Sequence, residues 1–141
     1  MLIQADARQI PLADGCVQCV VTSPPYFGLR DYGTANQIGL EPTPDAFVAA
    51  LVAVFREVRR VLKDDGTLWV NIGDSYATGT SAPRKPTTIT GADVPASWAG
   101  RSQPERCGTP QGWKTKDLLG IPWRVAFALQ SDGWYLRSDI I

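Results

Sequence analysis

Ser23, Pro24, Pro25 and Tyr26 close an apolar run in the stretch "VVTSPPYFGLRDYG", Val20 to Gly33. A strand needs backbone donors, and neither proline has one. Proline fixes its own φ and holds the preceding residue in extended backbone, so Ser23 and Pro24 are both constrained. The result is a rigid corner that presents a hydroxyl, main-chain carbonyls and a flat ring. Such a corner can accept hydrogen bonds from a planar amine while the ring stacks on the heterocycle, which suits a nucleobase amino group. The lone pair of that amine is delocalised into its ring, so cytosine N4 is a poor nucleophile. Acceptors aimed at its two N–H bonds favour the pyramidal geometry that alkylation requires, which is preorganised electrostatic catalysis. An amine inside a duplex must also be flipped out and held, with Tyr26 as the stacking surface.

The chain of 141 residues has no histidine. Ser-His-Asp and Cys-His machinery and HExxH metal chemistry are therefore excluded within it. Three cysteines, with no fourth thiol, leave a tetrahedral zinc site short of ligands unless a carboxylate or another chain joins in. Cys16 and Cys19 form a C-x-x-C, and Cys19 is expected to be buried in a strand. Formal charge is zero, 14 basic against 14 acidic residues, which neither favours nor excludes nucleic acid because a local patch can act alone. No apolar run approaches the roughly 20 residues needed to cross a bilayer. The start "MLIQADARQIPLADG" lacks the basic and apolar regions of a signal peptide, so a cytoplasmic protein is expected.

The elements that must position the corner follow from pattern. A short opening strand is expected at Leu2–Gln4 and a buried strand at Val17–Thr22. Thr43 suits a helix N-cap, Pro44 the first turn and Asp45 the dipole. Phe47, Leu51, Val54, Phe55, Val58 and Leu62 then form one apolar face, while Arg56, Glu57, Arg59, Arg60 and Lys63 are expected to face water. Asp65-Gly66 reads as the helix end, followed by a strand at Thr67–Ile72. Strand, long crossover and strand predict a parallel pair, the unit of a doubly wound α/β sheet. A second helix is expected with Pro122 in its first turn, an apolar stripe of Trp123, Ala126, Phe127 and Leu129, and Gly133 as its cap. "WYLRSDII" reads as the start of a further strand.

Residues 77–116 change character, with Gly, Pro, Ser and Thr dominant and no period. Arg84, Lys85, Arg101, Arg106, Lys114 and Lys116 stand against Asp93 and Glu105, with Trp98 and Trp113 interleaved. This composition suits a segment that tracks phosphates and stacks on bases. It suits equally a solvated insertion whose tryptophans tuck onto the core.

Five blocks in order, "TSPPY" with "FGLRDYG", "IGLEPTP", "FREVRRVLKDDGTLWVNIGDSY" and "KDLLGIPWRVAFALQSDGWYLRSDII", resemble the amino-directed DNA methyltransferases. The likeness is to the branch whose catalytic motif precedes its cofactor motif, and it covers nearly all of the chain outside the 77–116 insertion. It implies a Rossmann-like, doubly wound and mainly parallel sheet, S-adenosylmethionine as methyl donor and DNA as substrate, in a bacterial or phage-encoded protein. Ser at the first motif position implies cytosine N4, and Asp or Asn there implies adenine N6. The resemblance places Ser23, Pro24, Pro25 and Tyr26 at the target base. Asp6 and Asp74 are candidates for the cofactor, Asp74 also for the lining of the target pocket, each with a turn-forming role as the alternative. Arg30, Asp31 and Tyr32 are candidates for substrate contact, Arg30 either pairing with Asp31 or reaching a phosphate.

The sequence departs from the resembling pattern in one respect. No F-x-G-x-G-like cofactor loop is present, and Gly28, Gly33 and Gly39 lack the strand-to-helix setting to replace it. The expectation is the catalytic part of a methyltransferase domain over residues 1–141, without its cofactor loop, binding the donor weakly or not at all by itself. A non-catalytic DNA-binding remnant is the contrasting expectation.

Overall fold

A computed structural model describes residues 2–77 and 112–140. The element order is β1 (Val17–Thr22), α1 (Pro44–Val61), β2 (Leu62–Val70) and α2 (Ile121–Ser131). β1 and β2 form a two-stranded parallel sheet, as the strand–crossover–strand pattern predicts.

α1 starts where its capping residues dictate. Thr43 is extended, its hydroxyl accepts from the Ala46 N–H at 3.1 Å, and Pro44 opens the first turn. Phe47, Leu51 and Phe55 are fully buried along one face and, with Val48 and Val58, form the core against β2 and α2. The helix ends at Val61, earlier than Asp65-Gly66. Leu62 turns extended, with its N–H still donating to the Val58 carbonyl, and pairs with Val17. The register then jumps, so that Cys19 faces Thr67. Asp65 and Gly66 sit in this bulge, where Asp65 accepts from the Gln18 side chain. A Cβ on Gly66 would stand 2.9 Å from the Lys63 carbonyl oxygen, so the bulge requires glycine.

Six further expectations need correction. Residues 2–4 form no strand, and Leu2 is fully exposed. Residues 134–140 likewise form none, because no described strand lies alongside them to supply the ladder. Cys19 is exposed, as is Cys16. Among the described residues only one sheet face is covered: Val20, Leu68 and Val70 pack on the core, while Val21 and Trp69 stay open beside Cys19. In α2 the buried residues are Ile121, Val125 and Leu129, one turn apart. Trp123 and Phe127 stack on each other on the exposed side, with centroids 6.4 Å apart. The α1 cations do not simply face water. Arg56 and Arg59 bond to Asp132 at the end of α2, and Arg60 reaches the Ile10 and Leu12 carbonyls and Asp14 as well as Glu57.

Gly133 does close α2 as expected. Its φ is +96°, its N–H donates to Gln130, and the Trp134 N–H donates to Leu129. Trp113 packs against the core, with the Arg124 guanidinium 4.9 Å from its ring centre. That favours tucking over base stacking for this tryptophan. Arg84, Lys85, Trp98, Arg101, Arg106 and Cys107 lie outside the described residues.

Candidate active site

Because β1 and β2 run parallel, both carboxyl ends open on the same edge of the sheet, where α/β proteins bind ligands. The Asn71 N–H donates to the Thr22 carbonyl at 2.9 Å, so pairing continues one step past each strand. Ser23–Tyr26 and Ile72–Ser75 therefore leave the sheet side by side.

The corner is braced from several directions. Gly73 lies against the Tyr26 ring, and a Cβ added there would stand 2.9 Å from Cε2 and 3.3 Å from Cδ2. Gly39, at φ +109°, lies against the other end, where a Cβ would stand 3.1 Å from the Tyr26 carbonyl oxygen and 3.3 Å from the Pro25 Cβ. The Ser75 hydroxyl donates to the Phe27 carbonyl at 2.8 Å. Phe27 is buried and meets the Phe47 ring at 5.4 Å, which anchors the corner in the core. Tyr26, Pro24 and Pro25 are half-buried and Ser23 is exposed. Among the described residues, neither the Ser23 hydroxyl nor the Pro24 carbonyl has a hydrogen-bond partner. The corner thus keeps two oxygen acceptors unspent next to a seated aromatic ring.

After the corner, residues 28–39 form a loop closed at its neck, where the Gly28 N–H donates to the Gly39 carbonyl at 2.7 Å. Arg30, Asp31 and Tyr32 are all exposed on it. Asp31 accepts from the Gly33 N–H at 2.7 Å, which makes it a turn former. Among the described residues Arg30 makes no ion pair with Asp31.

The two carboxylates nominated for a cofactor are both engaged elsewhere. Asp74 accepts from the N–H groups of Gly120 at 3.0 Å, Ile121 at 2.9 Å and Ser75 at 2.8 Å. It thereby caps the N-terminus of α2 from a distant part of the chain, because Gly120, left-handed at φ 68°, has no side chain to do so. Asp6 accepts from the main chain and guanidinium of Arg8, which hold its carboxyl below its usual range, and no strand precedes it. Neither residue offers a free carboxylate, and the described residues include no glycine-rich turn between a strand and a helix. These parts do not make a nucleotide-type cofactor cradle. Among the described residues no cluster of metal-ligating side chains occurs.

Sequence reasoning missed the residues that seat the corner: Gly39, Gly73 and Ser75, with Phe27 beneath. Their only signal is small residues in "IGLEPTP" and "NIGDSY", and small size shows its purpose only once a ring lies against it. No helix among the described residues is long and apolar enough to cross a membrane.

The chain is 56% identical to the Type II methyltransferase M.XycI of Xanthomonas campestris pv. cyanopsidis, over 99% of this chain and 45% of that protein. It is 54% identical to M.Cfr9I of Citrobacter freundii and 53% identical to M.SmaI of Serratia marcescens, both again over 99% of this chain. The chain spans a little under half the length of these relatives. No solved structure matches it. The family model of N6/N4 DNA methylases matches residues 17–141, from the start of β1 through the corner and α2, and the chain belongs to that DNA methylase family.

Proposed function

We infer that the full-length protein is an S-adenosylmethionine-dependent DNA methyltransferase that modifies N4 of cytosine. The observation that carries this reading is a pair of acceptors, the Ser23 hydroxyl and Pro24 carbonyl, without partners among the described residues and beside the Tyr26 ring at the open sheet edge. The relatives' names, Type II methyltransferases, support the reaction class. The choice of cytosine rests on Ser at the first motif position.

In this reading the flipped base stacks on Tyr26, and its amine donates one N–H to Ser23 and the other to the Pro24 carbonyl. The acceptors draw the amine out of the ring plane and return its lone pair to nitrogen. Pro24 and Pro25 fix the backbone from which those oxygens project, so little reorganisation accompanies the reaction. The donor, a sulfonium, supplies an electrophilic methyl group. Asp6 and Asp74 are committed elsewhere, so other parts of the full-length protein form its pocket. In the full-length protein β1 and β2 belong to a Rossmann-like, doubly wound sheet.

The test is mass analysis of nucleosides from DNA incubated with the full-length protein and S-adenosylmethionine. N4-methylcytosine is expected, with its rate lowered by about 100-fold or more in Ser23→Ala and Tyr26→Ala, the scale of losing a preorganised polar contact. N6-methyladenine would overturn the choice of base. Unmodified DNA would favour a DNA-binding remnant, and methylation unaffected by either substitution would remove the corner from catalysis.

A further inference from the structure

We propose that Gln37 is a positioning residue that holds the 28–39 loop in the shape that contacts the DNA strand beside the flipped base. This rests on the DNA-modification reading above. The Gln37 carboxamide bonds twice to the opposite limb of the loop. Its Oε1 accepts from the Tyr32 N–H at 2.7 Å, and its Nε2 donates to the Arg30 carbonyl at 2.9 Å. One planar group thus fixes the main chain on both sides of Asp31. The chain reaches this geometry at a cost, because Asn36, immediately before Gln37, is left-handed at φ 60°. Gly28, Gly33 and Gly39 are left-handed too, at φ 65°, 71° and 109°.

The clamp has a clear beneficiary. Arg30 and Tyr32 are exposed, Tyr32 at 56%, and among the described residues no ion pair engages the Arg30 guanidinium. A cation and an aromatic ring displayed on a closed loop suit a phosphate and an unstacked neighbouring base. The loop's neck lies against Pro25 and Tyr26 through Gly39, so its display is tied to the corner itself. A loop ordered before binding loses less freedom on contact, so the clamp acts on affinity for DNA rather than on the methyl-transfer step.

The test compares Gln37→Met, which keeps the bulk and removes both hydrogen bonds, with Gln37→Ala in the full-length protein. Both are expected to raise KM for DNA, and Kd for a fluorescent duplex, by about tenfold. The kcat at saturating DNA should stay within about twofold and the unfolding midpoint should not move. In an Arg30→Ala/Tyr32→Ala background, Gln37→Met should have little further effect, because the clamp acts through those two side chains. Unchanged KM and Kd would overturn the proposal, as would equal losses in kcat and unfolding midpoint. If either variant fails to fold, amide exchange in the wild-type protein decides: the Tyr32 N–H should be protected without DNA and slower still with it, and an unprotected Tyr32 N–H overturns the clamp. Nucleoside analysis tests the methylation reading separately, since Kd is measured without any methyl donor.

Discussion

The carboxyl-end rim of the sheet and the open face of the same sheet follow opposite rules. At the rim, every segment is tied to another: Asn71 to Thr22, Ser75 to Phe27, Gly73 against Tyr26, Gly39 against Pro25, and Asp74 across to Gly120 and Ile121. On the open face, Val21 is 77% exposed and Trp69 is 50% exposed, with nothing described above them. Among the described residues the segments of the rim brace one another, while the face carries no cover. The difference separates a corner held in place from a surface left open.

The largest effect that tests this contrast lies beneath the rim. Phe47 is fully buried and supports Phe27 directly. Phe47→Ala should destabilise the protein by about 3–5 kcal/mol, read from the denaturation midpoint. A much smaller loss would mean that the corner is not anchored in the core.

Asp74→Ala tests the tie between the rim and α2. It removes the acceptor for two N–H groups at the helix start and should cost about 1–2 kcal/mol in the same measurement. A variant that lost activity at unchanged stability would instead return Asp74 to the cofactor.

A smaller effect is expected from acid. Arg56 donates to Asp132 at 2.8 Å and, with lesser help from Arg59, holds its carboxyl below the usual range. The folded-state value is lowered, so this contribution is fully present above the ordinary carboxylate value and fades as pH falls through the lower one. Comparing Asp132→Asn with the wild type by thermal melting from pH 7 to pH 2 should show a gap at neutral pH that narrows on acidification. A constant gap would break the link. Because the Arg56 side chain is largely open to water, the gap should be small.

The smallest effect belongs to the open face. Val21→Thr in the 141-residue chain should change stability by no more than about 0.5 kcal/mol. The same substitution in the full-length protein sharpens the comparison, because a larger loss there reports that further chain covers Val21.

Much of this was readable from local chemistry. Thr43-Pro44-Asp45 and the three- and four-residue spacing from Phe47 to Val58 specify α1 without outside help. Val17–Thr22 carried its strand in its own β-forming residues, and the crossover length made the pairing parallel. The failures share a cause, since each depended on what lay opposite. Cys19 looks buried only if both sheet faces are covered. Trp123 and Phe127 look like a core stripe because hydrophobicity is a property of the residue and burial a property of its neighbours. "WYLRSDII" has strand composition, and a strand also needs a partner. At the candidate site the diproline corner was plain, while its supports were glycines and one serine whose value is contact distance.

The most direct test of the central claim, that a seated Tyr26 grips the target base, is the kcat of Gly73→Ala in the full-length protein. A Cβ there has the Tyr26 ring as its nearest neighbour, 2.9 Å from Cε2, and displaces that ring from its seat. The account predicts that kcat falls by roughly 100-fold, with the unfolding midpoint nearly unchanged. A kcat within twofold of the wild-type value would contradict it.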